Sequence, residues 1–339
     1  MYKVAVVNSR SFGVNAPDLL EELRRHAEVD FIDVDKKMKG RELAERLKGY
    51  HFIIASVTPL YDAEFFRFNK DLLLIARHGI GVDNVDLRAA TEEGVIVTRV
   101  PGFKERDAVA ELAVALCLNV VRKVCYGNMI VRQGRWGERG KIIGFNIAGK
   151  TVGVIGIGNI GGRVAEIFAR GFNARVLAYD PYMKPDYAEK LGARLVDLET
   201  LLRESDIIML HAPLTSENYH MIGEKEFSMM KQGVIIVNAA RGELIDTQAL
   251  IKALETGKVG GVGLDVIENE PIDADHPILK YDNVVITPHI GANTREGLRG
   301  MDESNVDAIL KVIRGEAPIE YMVNPEVLKK GTRAKLSQQ

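Results

Sequence analysis

Three side chains with chemical potential stand just beyond apolar runs in the second half of the chain. VIIVNAARGELID, residues 234 to 246, ends its run in Arg241, GLDVIENEP presents Glu270, and VVITPHIGANT delivers His289. Apolar runs bounded by turn signals read as buried strands, and open α/β sheets bind ligands beyond the carboxyl ends of their strands. A guanidinium is planar, permanently charged and shaped to grip a carboxylate through two parallel hydrogen bonds. An imidazole passes a proton near neutrality, and a carboxylate on its other ring nitrogen fixes the tautomer and favours the protonated ring. A lone histidine is more often a structural donor than a catalyst, so the reading rests on the three together. Reduction of a 2-oxo acid requires such a set: a cation for the carboxylate, a proton for the carbonyl oxygen and a hydride for the carbonyl carbon.

A hydride source is suggested by GIGNIG, residues 156 to 161. The GxGxxG pattern alone is weak, but TVGVI before it reads as a strand and RVAEIFARG after it as a helix. Gly156 permits the tight turn, Gly158 lets backbone approach a pyrophosphate, and Gly161 allows close helix–strand packing, with phosphate at the helix N-terminus. The next strand, RVLAYD, ends in Asp180, 19 residues past Gly161, where a carboxylate meets adenosine ribose hydroxyls. Asp180 would repel a ribose phosphate, and Pro181 and Tyr182 offer no cation; Lys184 is the one nearby positive charge. The expected cofactor is NAD rather than NADP.

These residues need a scaffold, and the chain supplies two. KVAVV, PDLLEELRRH, VDFIDV, GRELAERLKG, HFIIAS, AEFFRFN, LLLIA and VIVT alternate β-rich runs with amphipathic segments over the first hundred residues. From residue 151 the alternation resumes with TVGVIG, RVLAYD, VDLETLLRE, DIIMLHAP, GEKEFSMM, GVIIVN, DTQALIKALE, VGGVGLDV and VVITP. Strands alternating with helices, joined by right-handed crossovers, predict an α/β protein with two doubly wound parallel sheets. Between them ERDAVAELAVALCLNVVRK reads as one long helix packed on several sides, and the segment around Trp136 as a surface loop or a subunit-contact arm. TREGLRGMDESNVDAILKVIRG reads as a last long helix followed by a polar tail.

At 339 residues two domains are expected. Lys plus Arg number 45 against 47 Asp plus Glu, a formal charge of −2, which gives no reason to seek nucleic acid. No apolar run reaches the ~20 residues that span a bilayer, so a soluble, unexported, cytoplasmic protein is expected. Cys117 and Cys125, eight apart in one expected helix and not at CxxC spacing, read as two buried thiols; no metal is expected.

Taken in order, RHGIGVDNVD, AVAELAVAL, GVIGIGNIGGRVAE, YDP, HAPLT, NAARGELID, GLDVIENEP and TPHIGANT resemble the NAD-dependent D-isomer-specific 2-hydroxyacid dehydrogenases, in the group of phosphoglycerate dehydrogenases and glyoxylate or hydroxypyruvate reductases. The resemblance covers residues 1 to about 325. It implies that Arg241 binds and polarises substrate, Glu270 orients the histidine and His289 is the acid/base. It implies NAD contacts at Asn159, Ile160, Asp180, His211, Ala212, Pro213, Ala239, Ala240, Arg241, Asp265 and His289 through Ile290 and Gly291 to Ala292. It implies a substrate carboxylate held by the backbone of Gly79, Ile80 and Gly81. It further implies a flavodoxin-like substrate domain of residues 1–103 and 291–325, interrupted by a Rossmann NAD domain of residues 104–290, with a tail from 326 to 339, and a homodimer that uses the Trp136 segment as its arm.

Departures bear on the substrate. Phosphoglycerate dehydrogenases present an arginine from the third strand toward substrate phosphate, and IIASVTP has none here. Arg77 matches a second basic position of that group, and His78, Arg99, Lys104 and Arg106 crowd nearby turns, either as a solvated set or as a site for a more highly charged substrate. About fifteen residues follow the recognisable fold, so a C-terminal amino-acid-binding domain is not expected. The leading reading is a 2-oxoacid reductase; the alternatives are a phosphoglycerate dehydrogenase lacking a regulatory domain, and a corepressor-like protein that senses NAD.

Overall fold

The computed structural model describes residues 1 to 337. Contacts divide the chain into two compact units, one of Met1–Glu105 with the chain from Ala292 onward, the other of Arg106–Gly291. The second is therefore an insertion in the first.

The first unit carries five parallel strands, β1 (Tyr2–Val7), β2 (Ala27–Ile32), β3 (Phe52–Ala55), β4 (Leu74–Arg77) and β5 (Ile96–Thr98), in the flavodoxin-like order 2-1-3-4-5. Strands β3 and β4 are buried along their whole length, which is why their sequences run apolar without alternation. Helix starts follow from capping chemistry: Asp62 accepts from the Phe65 N–H and Asp86 from the Ala89 N–H, each worth about 0.5–2 kcal/mol. The helix Pro17–His26 opens on proline and Asp18 and closes on Arg24, Arg25 and His26, as the helix dipole favours.

The chain from Ala292 onward completes this core. Helix Arg295–Ile313 inserts Val306, Ile309 and Val312 among Val4, Val6, Phe52, Ile54 and Leu74. Ile309 is fully buried, a contribution of about 1.5–3 kcal/mol. The chain that follows this helix docks on the same unit. The Val323 N–H donates to the Val97 carbonyl, Asn324 accepts from the Val97 N–H and donates to the Val95 carbonyl, and Arg333 pairs with Glu93. Val327 and Ala334, single apolar residues too sparse to form a periodic pattern, are buried there.

The second unit holds seven parallel strands: β6 (Thr151–Ile155), β7 (Arg175–Tyr179), β8 (Ala193–Leu195), β9 (Ile207–Leu210), β10 (Val234–Asn238), β11 (Val259–Leu264) and β12 (Val284–Ile286). Their order is 12-11-10-9-6-7-8, so the direction of winding reverses between β6 and β9, as in a Rossmann fold. Helix Gly102–Arg122 buries Ala113, Leu116, Cys117 and Val120 in the core beneath this sheet. The single helix expected through Cys125 breaks at Lys123, whose φ of +53° is left-handed, and a second helix, Val124–Arg132, follows. Cys117 is buried as expected, whereas Cys125 is exposed. Trp136 opens the short 3-10 helix Trp136–Lys141 and is 61% exposed. Among the described residues no helix is long and apolar enough to cross a membrane, and no cluster of His, Cys, Asp and Glu could hold a metal.

Candidate active site

The reversal of strand order places the turn after β6 beside the turn after β9. Gly156 leaves β6 at φ +84°, and a Cβ there would lie 2.7 Å from the Ala212 nitrogen. A Cβ on Gly161 would lie 1.9 Å from the Gly156 carbonyl oxygen. A Cβ on Gly158 would meet nothing within 4 Å. The protein itself thus demands glycine at two of the three positions, whereas at Gly158 the space above the backbone is open. Gly158 caps the helix Asn159–Glu166, whose first-turn N–H groups lack intrahelical partners and whose dipole favours an anion. A dinucleotide pyrophosphate fits this cradle. Asn159 is exposed and Ile160 half-buried at its rim.

Asp180 ends β7 half-buried, accepting from the Ile157 N–H at 3.0 Å and the Tyr182 N–H at 2.9 Å. It ties the glycine turn to the next strand and, as a carboxylate with about four lone-pair sites, retains acceptor capacity for ribose hydroxyls. Pro181 and Tyr182 are exposed beside it. In the His211–Pro213 turn the histidine ring points inward: both ring nitrogens are buried without a hydrogen-bond partner, and burial pushes its pKa down to about 4. In this conformation the turn offers a ligand its backbone, not the His211 ring.

Arg241, Glu270 and His289 follow β10, β11 and β12, which are neighbours in the sheet. Hydrogen bonds continue past the strand ends, from the Asp265 N–H to the Asn238 carbonyl at 2.9 Å, the Thr287 N–H to the Leu264 carbonyl at 2.8 Å and the His289 N–H to the Asp265 carbonyl at 2.9 Å. The three loops are therefore laid side by side. Glu270 Oε1 is 2.5 Å from His289 Nδ1, and both side chains remain about one third exposed, 35% and 33%. A carboxylate can only accept, so Nδ1 carries the proton of this bond and Nε2 is left for other partners. Arg241 is half-buried; its Nη1 donates to the Ala240 carbonyl at 2.7 Å. Ala239 and Ala240 are half-buried in the same loop.

Buried polar residues shape these loops. Asp265 is 2% exposed and accepts from the Thr287 hydroxyl, the Ile290 N–H and the Gly291 N–H, so it shapes the His289 turn from beneath. Gly291 is buried, and the half-buried Ala292 begins the return to the first unit. In the first unit Gly79 has φ +144°, while Ile80 and Gly81 are half-buried at the surface. Arg77 and His78 are only 4% and 7% exposed. Arg77 donates from Nη1 to the His78 carbonyl at 2.5 Å, beneath the Gly79 turn. His78 spends one ring nitrogen on the Ser9 hydroxyl at 2.7 Å and the other on Asp302 at 2.9 Å. Arg77 and His78 are thus packed under this loop, and their hydrogen bonds hold it from inside. Of the other basic residues there, Lys104 pairs with Glu303 and Arg106 with Asp107.

Sequence reading overlooked Ser9, Asp302, Thr287 and Asn238. Asn238 donates to the Arg241 carbonyl at 2.8 Å and accepts from the Ala240 N–H at 3.0 Å, shaping the arginine loop. An asparagine closing the otherwise apolar run VIIVN was the available signal.

Comparison with known proteins places this geometry. Residues 114–291 match the family model described as D-isomer specific 2-hydroxyacid dehydrogenase, NAD binding domain. The chain is 38% identical over 313 residues to a glyoxylate reductase of Korarchaeum cryptofilum, covering 91% of this chain and 93% of that one. It is 42% identical over 293 residues to a D-3-phosphoglycerate dehydrogenase of Archaeoglobus fulgidus, covering 86% of this chain but only 55% of that longer protein. Among solved structures, D-lactate dehydrogenase from Aquifex aeolicus complexed with NAD and lactic acid superposes with a TM-score of 0.82 at 31% identity, over 95% of this chain and 99% of that one. With two parallel α/β sheets, a Rossmann cradle suited to NAD and these relatives, the chain belongs to the D-isomer-specific 2-hydroxyacid dehydrogenases, NAD-dependent oxidoreductases acting on the CH–OH group of 2-hydroxy acids.

Proposed function

We propose that this chain reduces a small, singly charged 2-oxo acid of the glyoxylate kind. Arg241 grips the substrate carboxylate and polarises the adjacent carbonyl. His289 delivers a proton from Nε2 to the carbonyl oxygen, while Glu270 holds the ring in the required tautomer. Bound NADH supplies the hydride to the carbonyl carbon. In the reverse direction His289 accepts the hydroxyl proton. Asp180 holds the adenosine ribose.

The observation that carries the reading is the 2.5 Å contact of Glu270 with His289, made by residues 19 apart beyond adjacent strands and left accessible. Two observations favour a small substrate over a phosphorylated one. The third strand is followed by Ser56 and Val57 where the resemblance would lead one to expect a phosphate-binding arginine, and Arg77, Lys104 and Arg106 are buried or ion-paired. NADH oxidation should be followed with glyoxylate, hydroxypyruvate, pyruvate, 2-ketogluconate and phosphohydroxypyruvate. Glyoxylate and hydroxypyruvate should turn over fastest and give the D-product where a stereocentre forms. Preference for phosphohydroxypyruvate would overturn the substrate class, and binding of NADH with turnover of none would favour a sensor.

The assembly we propose is a homodimer in the cytoplasm, joined through the Trp136 segment. Trp136 is 61% and Ile143 73% exposed, with Val124 and Val131 also exposed nearby in the chain.

A further inference from the structure

A second histidine–carboxylate pair lies in the same unit, and the proposed chemistry does not use it. His220 Nε2 is 2.5 Å from Glu268 Oε1, and the other Glu268 oxygen accepts from the Thr247 N–H at 2.8 Å. The Glu268 side chain is only 13% exposed. Tyr219 stacks on the His220 ring at 4.0 Å, and His220 adopts φ +53°, so the ring is held in place at some backbone cost. The pair lines a surface cavity of about 390 Å³ with Asp246, Thr247, Pro271 and His276, a cavity that neither Arg241 nor His289 borders.

What the pair touches gives it meaning. The His220 N–H donates to the Glu243 carbonyl at 2.8 Å, two residues past Arg241, and the Ile222 N–H donates to the Leu244 carbonyl. His220 is thereby part of the arginine loop's bedding. Glu268 lies two residues before Glu270, across the left-handed Asn269 at φ +59°. The two loops also touch directly: a Cβ on Gly242 would lie 2.1 Å from the Ile267 carbonyl carbon and 2.4 Å from the Glu268 nitrogen.

We infer that His220 is a positioning residue, which through its hydrogen bond to Glu268 locks the Arg241 loop to the Glu270 turn and so sets where the guanidinium and the His289–Glu270 pair stand relative to each other. This rests on the reading of Arg241, Glu270 and His289 given above. An error of 1 Å at reacting groups costs on the order of 10²-fold in rate, so a tether of this kind acts on turnover more than on binding.

The test is steady-state reduction of glyoxylate with NADH by the full chain and its variants, with NADH affinity read separately by fluorescence. His220→Ala should lower kcat roughly 10- to 100-fold while leaving the NADH Kd within about twofold of wild type. His220→Gln, whose amide can occupy the place of Nε2 and carries the same backbone strain, should recover kcat to within about threefold of wild type. Should His220→Ala fail to fold, Glu268→Ala, which removes the partner of the His220 ring, provides the same comparison, with kcat lowered at unchanged NADH affinity. The inference falls if kcat holds within twofold in these variants, if NADH affinity weakens in step with kcat, or if glutamine gives no rescue while alanine does harm. Absence of wild-type turnover on every 2-oxo acid, with NADH still bound, would instead remove the underlying reading and the inference with it.

Discussion

Gly158 and Gly161 belong to one motif, yet their substitution by alanine should fail in opposite ways. At Gly158 the added Cβ meets no protein atom within 4 Å, and φ is −65°, open to any residue. Alanine is a poorer N-cap than glycine, a cost of up to about 1 kcal/mol, but it reduces unfolded-chain entropy by an offsetting ~0.4–1 kcal/mol. The folded protein should scarcely notice. The dinucleotide should, because the methyl group stands where pyrophosphate must approach backbone; overpacking of about 1–3 kcal/mol is a roughly 5- to 150-fold rise in the NADH Kd. At Gly161 the Cβ would sit 1.9 Å from the Gly156 carbonyl oxygen where ordinary contact starts at 3.4 Å, so backbone must move by the difference, 1.5 Å. Overpacking against backbone costs about 3 kcal/mol, a fall in Tm of roughly 6–12 °C for a unit of this size. Thermal unfolding without ligand and fluorescence titration with NADH separate the two effects. If Gly158→Ala binds NADH within twofold of wild type, the reading of this turn as the pyrophosphate cradle is wrong.

Other perturbations test other parts. Arg241→Ala should lower kcat/KM for glyoxylate about 10²- to 10⁴-fold, the loss of two charge-assisted hydrogen bonds of about 1.5–3 kcal/mol each; a change below tenfold would remove it as the carboxylate clamp. His289→Asn should cost about 10²- to 10⁴-fold in kcat as a lost general acid, measured by the same NADH oxidation. Alkylation of the folded protein should modify Cys125 alone, since burial pushes the Cys117 thiol up to about 12; mass spectrometry of the adducts decides. His211 gives a pH signature: burial holds its folded pKa down to about 4 against an ordinary 6.5, so between these values the unfolded chain binds a proton that the folded chain refuses. Stability should therefore decline as pH falls through that window, by at most about 3 kcal/mol from this site, and denaturant unfolding of His211→Gln should lack that component.

Much of this architecture was legible because its signals are local. Buried parallel strands read as apolar runs, GIGNIG declares its own turn, and Arg241, Glu270 and His289 each stand where a run stops. What escaped was information carried by partners far along the chain. Arg77, His78 and Asp265 look the same in sequence whether they face solvent or fold back under a loop; Asp302, 224 residues from His78, decides the matter. His220 and Glu268 are 48 residues apart, and neither resembles anything but a surface polar residue until the fold pairs them. The break at Lys123 has no glycine or proline to announce it, and β8 spans only three residues. The flavodoxin-like order of the first sheet and the return of the last helix came from family resemblance, because no spacing in the sequence reports that residues 295 to 313 close a core begun at residue 4.

That return has a consequence for how the polypeptide is made. A ribosome releases residues 1 to 105 long before Val306, Ile309 and Val312, so the nascent first unit waits with the cluster of Val4, Val6, Phe52 and Leu74 covered only in part, by Phe12 and Leu23. The inserted unit, whose own residues are contiguous, has everything it needs sooner although it starts later. Vectorial synthesis thus favours maturation of the interior segment ahead of the beginning, and the interval between is when chaperones would find an oily target on this polypeptide.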